Sequence, residues 1–193
     1  NNKITNPNII GSAIALQGVQ GIGKTKLIQS IAKAIKMPFS SISMGGASDG
    51  SFLNGHNYTY EGSRPGCIVD SLISMGSLGG ILFFDEVDKI SKTRSGEEIS
   101  KTLLHITDFT QNHNFTDKYL GNSFEINLSH MWFFYSLNYV ELIDKTLADR
   151  IPIINMEGYD NKQKKEMAFK YLIPDALKNI NISDKDIMFS PES

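Results

Sequence analysis

The stretch Gly18-Val19-Gln20-Gly21-Ile22-Gly23-Lys24-Thr25 decides the fold of this chain of 193 residues. It matches the pattern G-x-x-x-x-G-K-[ST] at every fixed position. Glycines let backbone N–H groups approach phosphate oxygens without obstruction by side chains. In such a loop the lysine brings a positive charge to the β- and γ-phosphates, and the threonine hydroxyl is a ligand for Mg²⁺. The stretch therefore predicts a phosphate-binding loop.

The segments on either side of this loop have the pattern of a strand and a helix. Ala13 to Gln17 is an apolar run typical of a buried strand. After the loop, apolar residues recur at helical spacing. These residues are Leu27, Ile28, Ile31, Ala32 and Ile35. A phosphate-binding loop requires this order, because the positive end of the following helix then points at the bound anion.

A second acidic element follows the apolar run Ile81 to Phe84, which ends in Asp85 and Glu86. A carboxylate at the end of a strand can hold Mg²⁺ beside the phosphates, and the next one can activate the attacking water. Acidic residues also end strands as solvated charges, so this pattern depends on the phosphate loop upstream. Together they favour hydrolysis by water, with Thr25 and Asp85 as Mg²⁺ ligands. The residues expected at the nucleotide are Gly18, Gln20, Gly21, Ile22, Gly23, Lys24, Thr25, Lys26 and Asp85.

The rest of the chain alternates between short apolar runs and helical patterns, which is typical of a parallel sheet covered by helices. Further strands are predicted at Phe39–Ser43, Met131–Leu137 and Ile151–Met156, and a further helix at Glu97–Thr107. The fold class is therefore a three-layer α/β P-loop domain over residues 1–158. Asp160 and Gln163 form a capping-box pattern. They begin a small helical lid over residues 159–193, which we expect to be truncated.

Composition and charge exclude several partners. The formal net charge of -2 provides no basic field for nucleic acid or anionic membrane. The single cysteine, Cys67, excludes an internal disulfide and favours the cytoplasm or another reducing intracellular compartment. No apolar run is long enough to span a bilayer, and no signal peptide is visible. Since the chain begins at Asn1 and stops abruptly at Ser193, we expect it to be a segment of a longer polypeptide.

Finer motifs resemble the ATPase domain of the Lon protease family, a branch of the AAA+ ATPases. They occur in the order found in that family, from about Ala13 to Ile187. Gly23-Lys24-Thr25, Asp85-Glu86-Val87-Asp88-Lys89 and the spacing between them resemble AAA+ ATPases in general. The finer motifs that resemble Lon are Ser43-Met44-Gly45-Gly46, Gly55-His56, Thr59-Tyr60-Glu61-Gly62-Ser63-Arg64-Pro65-Gly66, Phe115-Thr116-Asp117-Lys118-Tyr119-Leu120, Leu147-Ala148-Asp149-Arg150, Gly158-Tyr159 and Tyr171-Leu172-Ile173-Pro174.

This resemblance implies Mg²⁺-dependent ATP hydrolysis in a homohexameric ring that unfolds and threads protein substrates. Asn138 would be the sensor of the γ-phosphate or attacking water, with a strand-end turn residue as the alternative. Arg150 would be an arginine finger that reaches the neighbouring subunit's nucleotide, with a surface ion pair as the alternative. Tyr60 would grip polypeptide in the central pore, with core packing as the alternative. Glu86 would be the catalytic base.

The sequence also departs from the Lon pattern. Val19 and Gln20 replace the two prolines usual in the phosphate loop, and Glu61 replaces the apolar residue after the pore tyrosine. The only arginines are Arg64, Arg94 and Arg150, so the nucleotide-sensing arginine usual in the lid cannot lie in this chain. The serine–lysine protease dyad is not found either. It lies outside the segment if it exists.

Other functions remain open at this stage. An AAA+ chaperone or a nucleic-acid remodelling ATPase would carry the same nucleotide motifs. A small P-loop kinase fits the length but not Glu86, and a GTPase would need a guanine-reading N-K-x-D motif that is missing. Gly46-Ala47-Ser48-Asp49-Gly50 also matches the nucleophile elbow G-x-S-x-G, although no clear helix is predicted after it. The four histidines lack metal-ligand spacing.

Overall fold

The computed structural model describes residues 11–47, 49–59, 61–121 and 123–181. The strands are β1 (Ala13–Gln17), β2 (Phe39–Ser43), β3 (Ile81–Asp85), β4 (Phe115–Thr116), β5 (Glu125–Ile126), β6 (Trp132–Leu137) and β7 (Ile153–Asn155). The helices are α1 (Lys24–Ile35), α2 (Ser51–Asn54), α3 (Cys67–Met75), α4 (Arg94–Thr107), α5 (Lys145–Arg150), α6 (Asn161–Met167) and α7 (Ile173–Asn179). Short 3₁₀ turns at Val87–Lys89, Asn112–Asn114 and Val140–Leu142, and a π-helical segment at Ala168–Leu172, complete the set.

Five parallel strands form the main sheet in the order β2-β3-β6-β1-β7. A separate antiparallel pair joins β4 to β5. The order differs from the order in sequence, because each parallel connection crosses over through other elements. The predicted fold class, an α/β domain with a parallel sheet, is confirmed.

Helices cover both faces of this sheet, as alternate residues of β3 demonstrate. Ile81 and Phe83 pack in one buried cluster with Ile28 of α1. Leu82 and Phe84 pack in the other cluster, which includes side chains of α3 and α4. A strand that is apolar without alternation is expected where both faces are buried. The domain therefore has three layers.

Most predicted elements have the expected type, and their ends differ by a few residues. Helix α4 begins at Arg94 rather than Glu97, because the hydroxyl of Thr93 caps it by accepting a hydrogen bond from the Gly96 backbone N–H. Strand β7 covers only Ile153–Asn155 of the predicted Ile151–Met156. It is an edge strand, and it is preceded by Pro152, which has no N–H to donate to a ladder.

The chain divides into two compact units, Asn1–Met156 and Glu157–Ser193. In the second unit, Asp160 accepts a hydrogen bond from the Gln163 backbone N–H at 2.7 Å, and the Gln163 side chain accepts one from the Asp160 backbone at 3.0 Å. The predicted capping box is therefore present, and α6 begins directly after its first residue, Asp160. The predicted boundary between residues 158 and 159 stays a prediction. No helix among the described residues is long and apolar enough to cross a membrane.

Candidate nucleotide-binding site

Three adjacent strands, β3, β6 and β1, bring the predicted site residues to one edge of the sheet. The carboxyl ends of parallel strands lie at the same edge, where ligands of open α/β sheets bind. The phosphate loop follows β1, Asp85 ends β3, and Asn138 follows β6. Residues far apart in sequence can therefore contact one another here.

The loop before α1 depends on glycine for two different reasons. Gly21 and Gly23 have φ angles of +81° and +94°, a region that side chains of L-residues disfavour. A Cβ atom at either position would meet nothing within 4 Å, so conformation rather than space requires glycine there. At Gly18 a Cβ atom would lie 2.8 Å from the carbonyl oxygen of Met156, so space is limiting. Among the other predicted contact residues, Ile22 is buried, while Gln20 and Lys26 are exposed.

Lys24 is the first residue of α1 and is only 8% exposed. Its Nζ atom donates hydrogen bonds to the carbonyl oxygens of Gly18 at 2.6 Å and Val19 at 3.3 Å, and to Oδ1 of Asn138 at 2.8 Å. Burial lowers the pKa of Lys24, and nearby carboxylates, led by that of Asp85, oppose this shift. The lysine therefore joins the phosphate loop to the residue after β6.

Thr25 and Asp85, the two predicted Mg²⁺ ligands, are in direct contact. The hydroxyl of Thr25 donates to Oδ2 of Asp85 at 3.0 Å. No cluster of three or more His, Cys, Asp or Glu side chains able to hold a metal occurs in the described part of the chain. One carboxylate and one hydroxyl fit Mg²⁺, which prefers oxygen ligands and keeps several waters and substrate phosphates in its coordination shell.

Glu86 adopts an unusual backbone conformation directly after β3. Its φ angle is +62°, in the left-handed region that is uncommon for residues other than glycine. Its carboxylate accepts a hydrogen bond from Nζ of Lys89 at 2.5 Å. A Cβ atom at Gly45 would lie 2.7 Å from Oε2 of Glu86, so the side chain runs against the bare backbone of Gly45. Strained conformations of this kind cluster at functional sites.

The other two predicted catalytic residues, Asn138 and Arg150, lie in different surroundings from each other. Asn138 lies beside the phosphate loop through its contact with Lys24. Arg150, the last residue of α5, forms an ion pair with Asp108 instead, with 3.3 Å between Nη1 and Oδ2. The Arg150 side chain is 47% exposed. Tyr60 lies outside the described residues, so its predicted place in a pore loop is not observed.

Two residues that sequence reasoning missed complete the network. Ser136 of β6 donates its hydroxyl hydrogen to Oδ1 of Asp85 and accepts a hydrogen bond from the Glu86 backbone N–H at 2.9 Å. Asp88 accepts hydrogen bonds from the backbone N–H groups of Asn138 and Tyr139. The sequence signal that could have identified Ser136 was the presence of a polar residue inside the apolar run of β6. Asp88 belongs to the motif Asp85-Glu86-Val87-Asp88-Lys89, but no neighbouring residue in the sequence indicated that it would bond to the backbone after β6.

The candidate nucleophile elbow does not form an observed catalytic triad. Ser48 lies outside the described residues, although a helix of four residues, α2, does follow Gly50. Nearby, Ser51 Oγ and Asp49 Oδ2 both contact Nε2 of His56, at 2.8 and 3.0 Å. A Ser–His–Asp relay needs the serine and the aspartate on opposite ring nitrogens. These contacts therefore form a local polar cluster instead.

Comparison with known proteins agrees with this geometry. The sequence profile of the ATPase family associated with various cellular activities (AAA) matches residues 14–159. The chain belongs to this AAA family. Membership implies that this AAA ATPase binds and hydrolyses ATP.

Several relatives of this AAA ATPase are named Lon protease or Lon protease homolog, the family that the motifs resemble. The chain is 39% identical to a Lon protease homolog of Acanthamoeba polyphaga mimivirus over 95% of its length. It is 38% identical over 95% to the Lon protease of Geobacter metallireducens, and 37% identical over 93% to the human peroxisomal Lon protease homolog 2. It spans between 18% and 22% of the length of these relatives. The predicted resemblance to Lon ATPase regions is therefore confirmed.

Proposed function

We propose that this chain is the ATPase module of a Lon-like ATP-dependent protease. In this role Mg²⁺-dependent ATP hydrolysis drives the unfolding and translocation of protein substrates. The observation that carries the proposal is the similarity to Lon proteases over nearly the whole chain. The contact of Lys24 with Asn138 and the contact of Thr25 with Asp85 support the hydrolytic step.

In the proposed mechanism each residue of the site has a separate role in ATP hydrolysis. The backbone of residues 18–23 and the Lys24 ammonium bind the phosphates of ATP. Thr25 and Asp85 would hold Mg²⁺, which neutralises charge on the β- and γ-phosphates when bound. Glu86 accepts the proton of the attacking water, and the Asn138 amide contacts that water or the γ-phosphate.

The ion pair between Glu86 and Lys89 affects the proposed role of Glu86 as the catalytic base. Hydrogen bonding and charge from Glu86 raise the pKa of Lys89, so its ammonium is favoured. While this ion pair is present, one carboxylate oxygen of Glu86 is occupied by the Lys89 ammonium. We expect the Glu86 carboxylate to leave Lys89 when it orients the water. The exposure of both side chains, 29% for Glu86 and 44% for Lys89, makes this movement sterically simple.

The proposed ring rests on the proposed action of Arg150 on a neighbouring subunit. Its half-exposed guanidinium at the end of α5 would reach the nucleotide of the next subunit in a homohexamer and stabilise transition-state charge. Tyr60 would contact unfolded polypeptide in the pore. The loop that carries it is closed at its base by a hydrogen bond from the His56 N–H to the Arg64 carbonyl at 3.2 Å. We propose that neither nucleic acid nor a membrane is a partner of this protein. We propose that the protein is located in the cytoplasm or in another reducing intracellular compartment.

The test follows ATP hydrolysis and cleavage of unfolded casein together in the full-length protein. We expect cleavage to require ATP and to fail in Glu86→Gln, while Glu86→Gln still binds ATP. Glu166→Gln, an equal change at an exposed position of α6, is the matched control and should behave as the parent. ATP hydrolysis without cleavage would favour the second candidate, an AAA+ chaperone or nucleic-acid remodelling ATPase. Hydrolysis by Glu86→Gln at the parent rate would refute Glu86 as the base.

A further inference from the structure

Asp88 is a charged residue in an almost fully buried position. It is 8% exposed and lies in the 3₁₀ turn Val87–Lys89 that follows Glu86. Carboxylates are rarely buried unless their oxygens accept hydrogen bonds or pair with cations, because desolvation is costly. Neither the phosphate loop, the Mg²⁺ ligands nor the proposed base accounts for this residue.

The carboxylate of Asp88 is directed at the backbone after β6. Its Oδ2 atom accepts hydrogen bonds from the N–H groups of Asn138 at 3.0 Å and Tyr139 at 3.4 Å. Its Oδ1 atom is buried, with no hydrogen-bond partner among the described residues. The observed hydrogen bonds of this side chain therefore all go to these two backbone groups.

Asn138 is consequently held from two sides. Its side-chain oxygen accepts a hydrogen bond from Lys24 at 2.8 Å, and its backbone N–H donates to Asp88. Asp88 lies two residues after Glu86, in the short turn that directly follows it. It thereby links the segment that contains the proposed base to the segment that contains the proposed sensor.

We propose that Asp88 is a positioning residue for ATP hydrolysis, which holds the Asn138 amide in place relative to Lys24 and Glu86. The proposal rests on the proposed role of Asn138 in the hydrolytic step. A group that is misplaced by about 1 Å can cost about a hundredfold in rate, so a backbone anchor at this point affects the chemistry strongly. Nucleotide affinity depends mainly on the phosphate loop and depends little on Asp88.

The test is a double-mutant cycle in the assembled, full-length protein, with Asp88→Ala, Asn138→Ala and the combination. We measure kcat for Mg²⁺-ATP hydrolysis and the dissociation constant of a fluorescent ATP analogue. Asp88→Ala should lower kcat by about tenfold or more and change the dissociation constant by less than about twofold. In the Asn138→Ala background, the same change should lower kcat by less than about twofold, because the two residues act as a unit.

A conservative variant separates hydrogen bonding from charge. Asp88→Asn keeps an oxygen that can accept from both backbone N–H groups, so it should retain kcat within about threefold of the parent. Asp70→Ala, at an exposed position of α3, is the matched control. If circular dichroism shows that Asp88→Ala is not folded, Asp88→Ser replaces it. The serine side chain is one bond shorter than that of aspartate, so its hydroxyl is too short to reach the same backbone N–H groups.

Three results would overturn the proposal. They are an equal fall in kcat in both backgrounds, an Asn138→Ala variant as active as the parent, and an Asp88→Asn variant as impaired as Asp88→Ala. A parent protein that does not hydrolyse ATP, or a Glu86→Gln variant at the parent rate, would instead refute the proposed function. The two failures are therefore distinguishable.

Discussion

The hydroxyl of Ser136 donates a hydrogen bond to the carboxylate of Asp85, which ends the neighbouring strand. The same oxygen accepts a hydrogen bond from the Glu86 backbone N–H at 2.9 Å. Ser136 is fully buried, so no solvent competes for these bonds. One small side chain therefore orients the proposed Mg²⁺ ligand and the backbone of the proposed base.

Ser136→Ala should weaken both functions of this hydroxyl. The loss leaves the partly buried Glu86 N–H and an Asp85 carboxylate oxygen with one partner fewer, at a cost of about 1–3 kcal/mol in the free energy of unfolding. Because Asp85 is then less well oriented, half-maximal hydrolysis should need more Mg²⁺. Urea unfolding and a Mg²⁺ titration of ATP hydrolysis measure the two effects. Ser74→Ala, at an exposed position of α3, is the control, and an unchanged Mg²⁺ requirement would contradict the prediction.

Lys24→Ala should abolish ATP binding. Lys24 is the buried cation that contacts both the phosphate loop and Asn138, and its charge is needed to offset the phosphates. Lys33→Ala removes an exposed lysine from the same helix and should leave affinity unchanged. Titration with a fluorescent ATP analogue compares the two variants. Similar affinities for Lys24→Ala and Lys33→Ala would show that the loop binds phosphate without its lysine.

Arg150→Ala should lower ATP hydrolysis in the assembled protein by at least about a hundredfold, with nucleotide affinity retained. Mixing subunits tests whether Arg150 acts on its neighbour. An Arg150→Ala subunit keeps Glu86, and a Glu86→Gln subunit keeps Arg150, so a mixed ring should recover hydrolysis that neither variant shows alone. No recovery would mean that both residues serve the same subunit. Lys145→Ala, at the other end of α5, controls for loss of surface charge.

Asp117 closes the base of the loop at residues 56–65. Its buried carboxylate accepts hydrogen bonds from the backbone N–H groups of Gly66 at 2.8 Å and of Tyr119 at 2.9 Å. Gly55, at the other end of the loop, comes so close that a Cβ atom there would lie 2.7 Å from the Asp117 carboxylate. The carboxylate thus lies against both ends of the loop.

Asp117→Ala should lower the free energy of unfolding by about 2–4 kcal/mol, because it leaves the buried Gly66 N–H and the partly buried Tyr119 N–H without this acceptor. It should also make residues 56–65 more sensitive to proteolysis. Asp117→Asn keeps an acceptor oxygen and should lose less stability. Chemical denaturation and limited proteolysis with mass spectrometry follow these effects, with Asp175→Ala in α7 as the control. Equal stability of Asp117→Ala and Asp175→Ala would contradict the anchoring role.

Much of the fold was predictable because it depends on interactions between residues close in sequence. The spacing of apolar residues around Ile28 predicted α1, and the unbroken apolar run of β3 predicted a strand with both faces buried. The capping box of Asp160 and Gln163 needs only three residues of separation. The ends of α4 and β7 were less predictable, since a capping hydroxyl and an edge position decided them.

The sequence by itself determined the phosphate loop, the acidic pair Asp85-Glu86 and the alternation of strands and helices. Only the tertiary structure decided the strand order β2-β3-β6-β1-β7. That order brings Lys24 to Asn138 across 114 residues, and Asp85 to Ser136 across 51 residues. It also decided the contacts of Ser136 and Asp88, whose partners lie at the ends of other strands or directly after them. Local patterns record backbone propensity and burial, whereas pairing between distant strands depends on the packing of the whole domain.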